Sequence, residues 1–493
     1  MQSFDAIVVG SGFGGLGAAL TLVEEGRRVL LLEALNYPGG CASTFRRGDY
    51  LFEAGATLFS GFGEGQLMQQ WIKRHQMAVE LDWLDPVIEL RAPSWRLELS
   101  SDRRQLVNNM AELPGAPRDG LEKFFEYQRK VADTLWALFD DPALLPPLSL
   151  GVLLRHLKRS PKYLPLVSLI GRSLESVAKS YDLLSFEPFR VYLNALSQIT
   201  VQVSAAEAEA TFALAATDYC FRGTAHVRGG IGTLANAFCE AIEKAGGQVI
   251  FAHRVNGLRN VGGDWEVAAR GDTYRAPLVF ANLLPQNLTE LLTDSSTKVG
   301  KNLLQSTKRV EEGWGAAMLY LGVEASQIGQ ASPHHLELVA DPTMPFMKGN
   351  HLFCSVSGAE ESGRAPQGER TVTVSTHVPM KELLALSSEE QGGYIQAVQE
   401  KMRGTLSILA PELHRAIRTE MPASPRTFER FTRRKHGYVG GIPRRVGLRN
   451  YQGIFPEPIL PGLYLVGDSN FPGQSTLATA VGGQRAVKAA LRR

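Results

Sequence analysis

Just inside the start of the chain, after Asp5, stand four consecutive apolar residues, Ala6-Ile7-Val8-Val9. A stretch that is apolar at every position, without alternation, predicts a parallel strand buried on both faces. The turn Gly10-Ser11-Gly12-Phe13-Gly14-Gly15 follows at once, then helical spacing over about 16–25, then a second apolar run, Val29-Leu30-Leu31-Leu32, which ends at Glu33. Strand, glycine turn, helix and strand make one βαβ unit. Alternation over 91–99 predicts strands, and Leu121, Phe124, Phe125, Leu135 and Leu138 recur at helical spacing over 120–139, where a helical insertion starts. From 228 the α/β pattern resumes, with Gly229-Gly230-Ile231-Gly232, a helix over about 233–244 and a strand over 248–252. Further strands are predicted at 277–281, 316–323, 371–376 and 463–466, and helices at 389–402 and 477–491. No internal repeat or low-complexity tract interrupts this order.

Composition narrows the classes. At ~150 residues per domain, 493 residues suggest about three units or two large interlaced ones. With 44% hydrophobic and 21% charged residues, and Lys+Arg 52 against Asp+Glu 50, the chain is an ordinary folded protein whose charge calls for no nucleic acid. Cys41, Cys220, Cys239 and Cys354 lie far apart with no C-x-x-C pair, so a zinc site, a redox dithiol and a disulfide scaffold are not expected and a reducing compartment is. His226, His253, His334, His335, His351 and His436 lack metal-ligand spacing, and no metal is expected. The start lacks the basic and small-residue features of a signal peptide, and no run of 18 apolar residues could span a bilayer. The expected location is cytoplasmic, peripheral to a membrane.

The first candidate chemistry is Gly10-x-Gly12-x-x-Gly15 between a buried strand and a helix. The first glycine makes a tight turn, the second lets backbone amides approach a pyrophosphate, and the third packs helix on strand. Glu33, at the end of the second strand, can accept hydrogen bonds from ribose hydroxyls. Pro38-Gly39-Gly40 follows, and a strand ending in Gly467-Asp468 returns at the far end of the chain. Amides around Gly467 and the Asp468 carboxylate can bind the pyrophosphate and ribityl groups of FAD. The closing helix would point its positive N-terminus at the isoalloxazine and favour a reduced, anionic flavin.

These residues carry a resemblance. The glycine turn, Glu33, Pro38-Gly39-Gly40, Phe52-Glu53-Ala54-Gly55, Gly229-Gly230-Ile231-Gly232-Thr233-Leu234 and Gly467-Asp468-Ser469-Asn470-Phe471-Pro472-Gly473-Gln474 resemble the FAD-dependent phytoene desaturase superfamily. Ser424-Pro425-Arg426-Thr427-Phe428-Glu429-Arg430-Phe431 and Gly441-Ile442-Pro443 are more similar to its carotenoid isomerases (prolycopene isomerase) and retinol saturases. Cys41-Ala42 and Glu53 depart from the common pattern, where many relatives carry Arg or Ser and Asp. The resemblance implies a two-domain α/β FAD-dependent oxidoreductase with a Rossmann-like, glutathione-reductase-type FAD-binding domain and a mixed-sheet plus helical substrate domain. It further implies FAD held by Gly10, Gly12, Phe13, Gly14, Gly15, Glu33, Gly40, Val255, Gly467 and Asp468, with Gly473, Gln474 and Thr476 near the flavin ring. The expected division is 1–85, 226–290 and 441–493 for the FAD-binding domain, and 86–225 and 291–440 for the substrate domain.

The implied substrate is a hydrophobic carotenoid-like polyene, to be isomerised or desaturated. Such a molecule offers no hydrogen-bond handle, so it calls for a long apolar groove, and the flavin carries the chemistry without a catalytic triad. Rival readings are a flavin amine oxidase, a polyunsaturated fatty-acid isomerase and a prenyl-lipid escort protein without flavin. Residues 142–184 combine leucines with Arg155, Lys158, Arg159, Lys162, Arg172 and Lys179, which suits either a lid dipping into a headgroup layer or a helix pair with a solvated basic face. A second basic run includes Arg426, Arg430, Arg433, Arg434, Lys435, Arg444, Arg445 and Arg449, without a nucleic-acid recognition motif.

Overall fold

The computed structural model describes residues 1–55, 58–139, 150–292, 300–329, 333–451 and 453–492. The apolar runs form the centre of a five-stranded parallel sheet, in the order Gln248–Ile250, Val29–Leu32, Ala6–Val9, Leu278–Ala281, Leu463–Leu465. Continuous apolarity is explained by burial on two sides. Ala6, Val8, Val29 and Leu31 face helices, whereas Ile7, Val9, Leu30 and Leu32 face an antiparallel meander, Val255–Val261, Asp264–Ala269 and Asp272–Ala276. A one-residue slip would exchange the two sets.

The first helix, Phe13–Glu24, starts within the glycine turn, three residues earlier than the apolar spacing predicts. The helix Ile231–Lys244 likewise takes in its own Gly232. In both, glycines occupy the first turn because neighbouring atoms leave no room for a side chain: a Cβ at Gly15 would lie 2.0 Å from the Gly10 carbonyl oxygen, and one at Gly232 2.9 Å from Thr44. The closing helix, Thr476–Ala490, lies against the first at very short range, since a Cβ on Gly17 would meet the Ala480 oxygen at 2.6 Å and one on Gly483 the Gly14 oxygen at 2.1 Å. This contact holds the two chain ends together.

A seven-stranded sheet, in the order Ile417–Ala423, Trp314–Glu324, Glu369–Pro379, His351–Val356, His335–Val339, Ile88–Ala92, Trp95–Leu99, forms the second layer. Its pleat sorts residues cleanly. Ala317, Leu319 and Leu321 join a core capped by the helix Ser388–Leu409, while Ala316 and Met318 on the opposite face look into a cavity. Helices Arg118–Phe139, Leu174–Lys179, Glu187–Thr200 and Ala210–Ala216 share the largest apolar cluster, centred on Phe124, Phe125, Phe189 and Tyr192.

The basic leucine-rich segment divides. Residues 142–149 lie outside the described residues. In the helix Leu150–Val167, Leu150, Leu153, Leu154, Leu157 and Leu164 are exposed. From its last turn onward, Leu166, Leu169, Leu174, Val177, Ala178 and Leu183 are buried in the helical core. The lid reading is therefore confined to the first half, because the second half spends its apolar residues on the protein interior. Among the described residues no helix is long and apolar enough to cross a membrane.

Candidate cofactor and substrate site

The glycine turn wraps around Asn282, the residue just past the strand Leu278–Ala281. A Cβ at Gly12 would lie 2.5 Å from Asn282 Nδ2, one at Gly14 2.8 Å from its Oδ1, and one at Gly467 2.6 Å from the same oxygen. The Gly14 position would also be 2.8 Å from the Gly467 backbone, so the two terminal motifs are in contact. Gly467 has φ +110°, a conformation that glycine adopts without strain. The C-terminal ends of the parallel strands thus open onto a surface of bare backbone, the place where open α/β sheets take nucleotides.

A continuous cavity of about 640 Å³ begins there. Its lining includes Glu33, Val255 and Asn287, the residues Gly10, Gly12, Phe13, Gly14, Gly40, Gly467 and Asp468, and Gly473, Gln474 and Thr476. Of the predicted site residues, Gly15 stays outside. Its missing side chain lets the turn close on the Gly10 carbonyl, a packing role. Glu33 has internal duties: its Oε2 accepts from Ser11 N at 2.7 Å and Ser11 Oγ at 2.6 Å, and its Oε1 accepts from Leu35 N at 2.8 Å. These bonds fix the carboxylate beside the turn. Asp468 likewise pairs with Arg434, whose Nη2 donates to Oδ2 at 2.8 Å. Burial works against the Arg434 charge, but Asp468 more than restores it and holds the guanidinium above its ordinary value.

Past Gln474, whose Nε2 donates to the Ile199 carbonyl at 2.6 Å, the cavity becomes a slot walled by Leu135, Trp136, Phe212, Ala215 and Phe353. Ser375 and His377, on the cavity face of the seven-stranded sheet, border it as well. Burial, with His351 nearby, pulls the His377 imidazole down to about 3, so it is neutral at pH 7. Carboxylates among the described lining residues are Glu33, Glu290 and Asp468, all on the glycine-turn side; the slot has none.

Sequence reasoning missed several of these positions. Asn282 was legible in principle, as the first polar residue after a buried parallel strand. Arg434 and Arg444 were hidden in a basic run, although both line the cavity while Lys435 and Arg445 do not, pairing instead with Glu290 at its border and with Glu207. Cys41 also borders the cavity. Glu53 does not: it is buried and accepts from Ile231 N at 3.2 Å and Thr44 Oγ1 at 3.1 Å, anchoring the start of the helix Ile231–Lys244. The histidines fill structural places, with His226 bonded to Glu361 at 2.9 Å and stacked on His334, and His335 stacked on Phe353.

The model of the family described as flavin containing amine oxidoreductase matches residues 13–279, more than half of the chain. The chain belongs to that family. Its cofactor is FAD, and the residues present fit it: a backbone surface free of Cβ atoms, the N-termini of the first and closing helices, and an acidic residue at each of the two strand ends. Among similar proteins, this flavoprotein is 26% identical to the chloroplastic prolycopene isomerase of Arabidopsis thaliana over 97% of its own length and 81% of that protein's. It is 28% identical to the all-trans-retinol 13,14-reductase of Rattus norvegicus over 50% and 41% of the two chains. It therefore stands in the carotenoid isomerase/desaturase-type superfamily. In fold it is similar to an oxidoreductase from Methanosarcina mazei, with TM-score 0.65 and 16% identity over 99% and 100% of the chains. A putrescine oxidase double mutant gives TM-score 0.65 and 14% identity over 100% of both.

Proposed function

We propose that this flavoprotein acts on the conjugated C=C bonds of a carotenoid-like polyene, and that its reaction is cis–trans isomerisation in preference to net desaturation. The observation that carries this reading is the continuity of the cavity from the Gly14–Gly467 contact into a slot of aliphatic and aromatic side chains that holds no carboxylate among its described residues. An amine substrate would be an ammonium ion at neutral pH and would call for a carboxylate, which the described residues of the slot do not supply. A polyene calls for apolar area, at ~25 cal/mol per Å² buried. Near-full-length similarity to a prolycopene isomerase favours the redox-neutral outcome.

FAD, when bound, supplies reversible electron or hydride exchange with a conjugated system. The chain's residues do the rest. Leu135, Trp136, Phe212 and Phe353 orient the polyene and exclude water. Neutral His377 adds no charge to the slot. The test is anaerobic incubation with cis and trans carotenoids, with the flavin oxidised or prereduced, followed by chromatography. Isomer conversion only after prereduction, without loss of hydrogen, is expected; loss of two hydrogens would make the enzyme a desaturase, and peroxide release with amines would overturn the substrate class.

The same reading includes an anionic bilayer as partner. On the helix Leu150–Val167, Leu150, Leu153, Leu154, Leu157 and Leu164 share one face at 100° per residue, and Arg155, Lys158, Arg159 and Lys162 share an adjacent one. Apolar residues would enter the headgroup layer and the cations meet phosphate, giving a water-insoluble substrate a route from the lipid. At ~1 kcal/mol per basic residue, the triple variant Arg155→Glu, Lys158→Glu, Lys162→Glu should lose over tenfold in sedimentation with phosphatidylglycerol vesicles. Equal sedimentation would remove the membrane from the account.

A further inference from the structure

Arg444 occupies a place where positive charge is costly. Its side chain lines the cavity, the residue is 8% exposed, and its Nη2 donates to the carbonyls of Asn470 and Pro472 at the long distances of 3.4 and 3.3 Å. Arg434 has Asp468 and Arg445 has Glu207, but among the described residues no carboxylate pairs with Arg444. Burial first, and the second cation Arg309 next, draw the group down to about 9, which still leaves it charged at pH 7. A buried charge left without a counter-ion in a folded protein is a group awaiting one from whatever fills the space beside it.

The surroundings reinforce this. A Cβ on Gly473 would lie 3.2 Å from Arg444 Nη2, and Gly473 leads directly into the closing helix through its cap Ser475. That helix, Thr476–Ala490, whose Ala478 amide donates to the Ser475 hydroxyl, brings about half a positive charge to the same spot. Gln202, also lining the cavity, is buried with its Oε1 unpartnered. A hydrocarbon polyene cannot answer the charge, and the pyrophosphate belongs with the glycine turn and Gly467. The remaining negative charge available to this cavity is the one that two-electron reduction places on the flavin's pyrimidine edge.

We infer that Arg444 faces that edge and, together with the N-terminus of the closing helix, compensates the charge of the reduced flavin. The inference rests on the FAD assignment and on the flavin ring lying by Gly473, Gln474 and Thr476. Its consequence is specific to a redox-neutral reaction: a site that keeps its flavin reduced between turnovers gains from a fixed counter-charge that costs no reorganisation.

The test uses the flavin-loaded full-length protein and the variants Arg444→Gln and Arg444→Lys. Sulfite adds to oxidised flavin and leaves negative charge on the pyrimidine ring, so its affinity reads the counter-charge without any substrate, and a dye-equilibrated midpoint potential reads it independently. Arg444→Gln should retain FAD absorbance, bind sulfite at least tenfold more weakly, and lower the two-electron potential by the corresponding ~30 mV. Arg444→Lys should recover most of both. If Arg444→Gln does not hold flavin, Arg444→Met decides in its place: a weaker sulfite affinity and a lowered potential support the inference, and wild-type values overturn it. Flavin-loaded Arg444→Gln with wild-type sulfite affinity and potential overturns it too, as would a raised KM confined to carboxylate-bearing polyenes. A colourless wild-type protein would sink the cofactor assignment first, which is a distinguishable failure.

Discussion

The two ends of the cavity are built on opposite principles. At the glycine turn, recognition is by backbone: Gly10, Gly12, Gly14 and Gly467 surround Asn282 so closely that side chains are excluded. In the slot, recognition is by side chains drawn from separated segments, with Leu135 and Trp136 on one helix, Phe212 and Ala215 on another, and Phe353 on a strand. The first end tolerates no added atoms. The second tolerates exchange of shape at modest cost, so the same fold can keep its cofactor while changing its substrate.

The largest expected effect breaks the backbone end. Gly14→Val places branched carbons where a Cβ alone would already be 2.8 Å from both Asn282 and Gly467, so the purified protein should keep under about a tenth of wild-type flavin absorbance. Retained flavin would show that the turn can open without cost. A smaller effect is expected in the slot: Trp136→Ala should leave flavin absorbance unchanged and raise KM for a polyene about tenfold, ~1.4 kcal/mol of lost apolar contact. Loss of flavin there would mean that the two ends are not separable. The smallest concerns His377. It is harder to protonate folded, at about 3, than at its ordinary 6.5. The unfolded chain therefore takes up more protons between those values, and stability present above about pH 6.5 is lost as acid is added through that window. His377→Gln should give a shallower acid limb in denaturant titrations from pH 6.5 to 4, with little change at pH 8.

The same contrast explains what could be read beforehand. The parallel strands were visible because burial on both faces leaves an unbroken apolar run, as in Ala6–Val9. The glycine turn was visible because backbone contact leaves a residue type that nothing else replaces. The convergence of Gly467 with Gly14 followed from motif resemblance, and no local pattern announces it. The slot was invisible, since Trp136, Phe212 and Phe353 look like any core aromatic until three elements bring them together. Arg444 did not stand out for the converse reason, because a basic run gives no sign of which members turn inward. The helix starts at Phe13 and Ile231 were placed too late, since apolar spacing begins only where side chains begin.

The pairing of the first and last helices also orders events during synthesis. Gly14 leaves the ribosome more than about four hundred residues before Gly467 and the backbone that packs on it at Gly483. Throughout that interval the nucleotide cradle has one wall missing. Tight capture of the coenzyme must therefore wait for translation of the final helix, and a nascent chain that stalls short of it would be handed to chaperones empty.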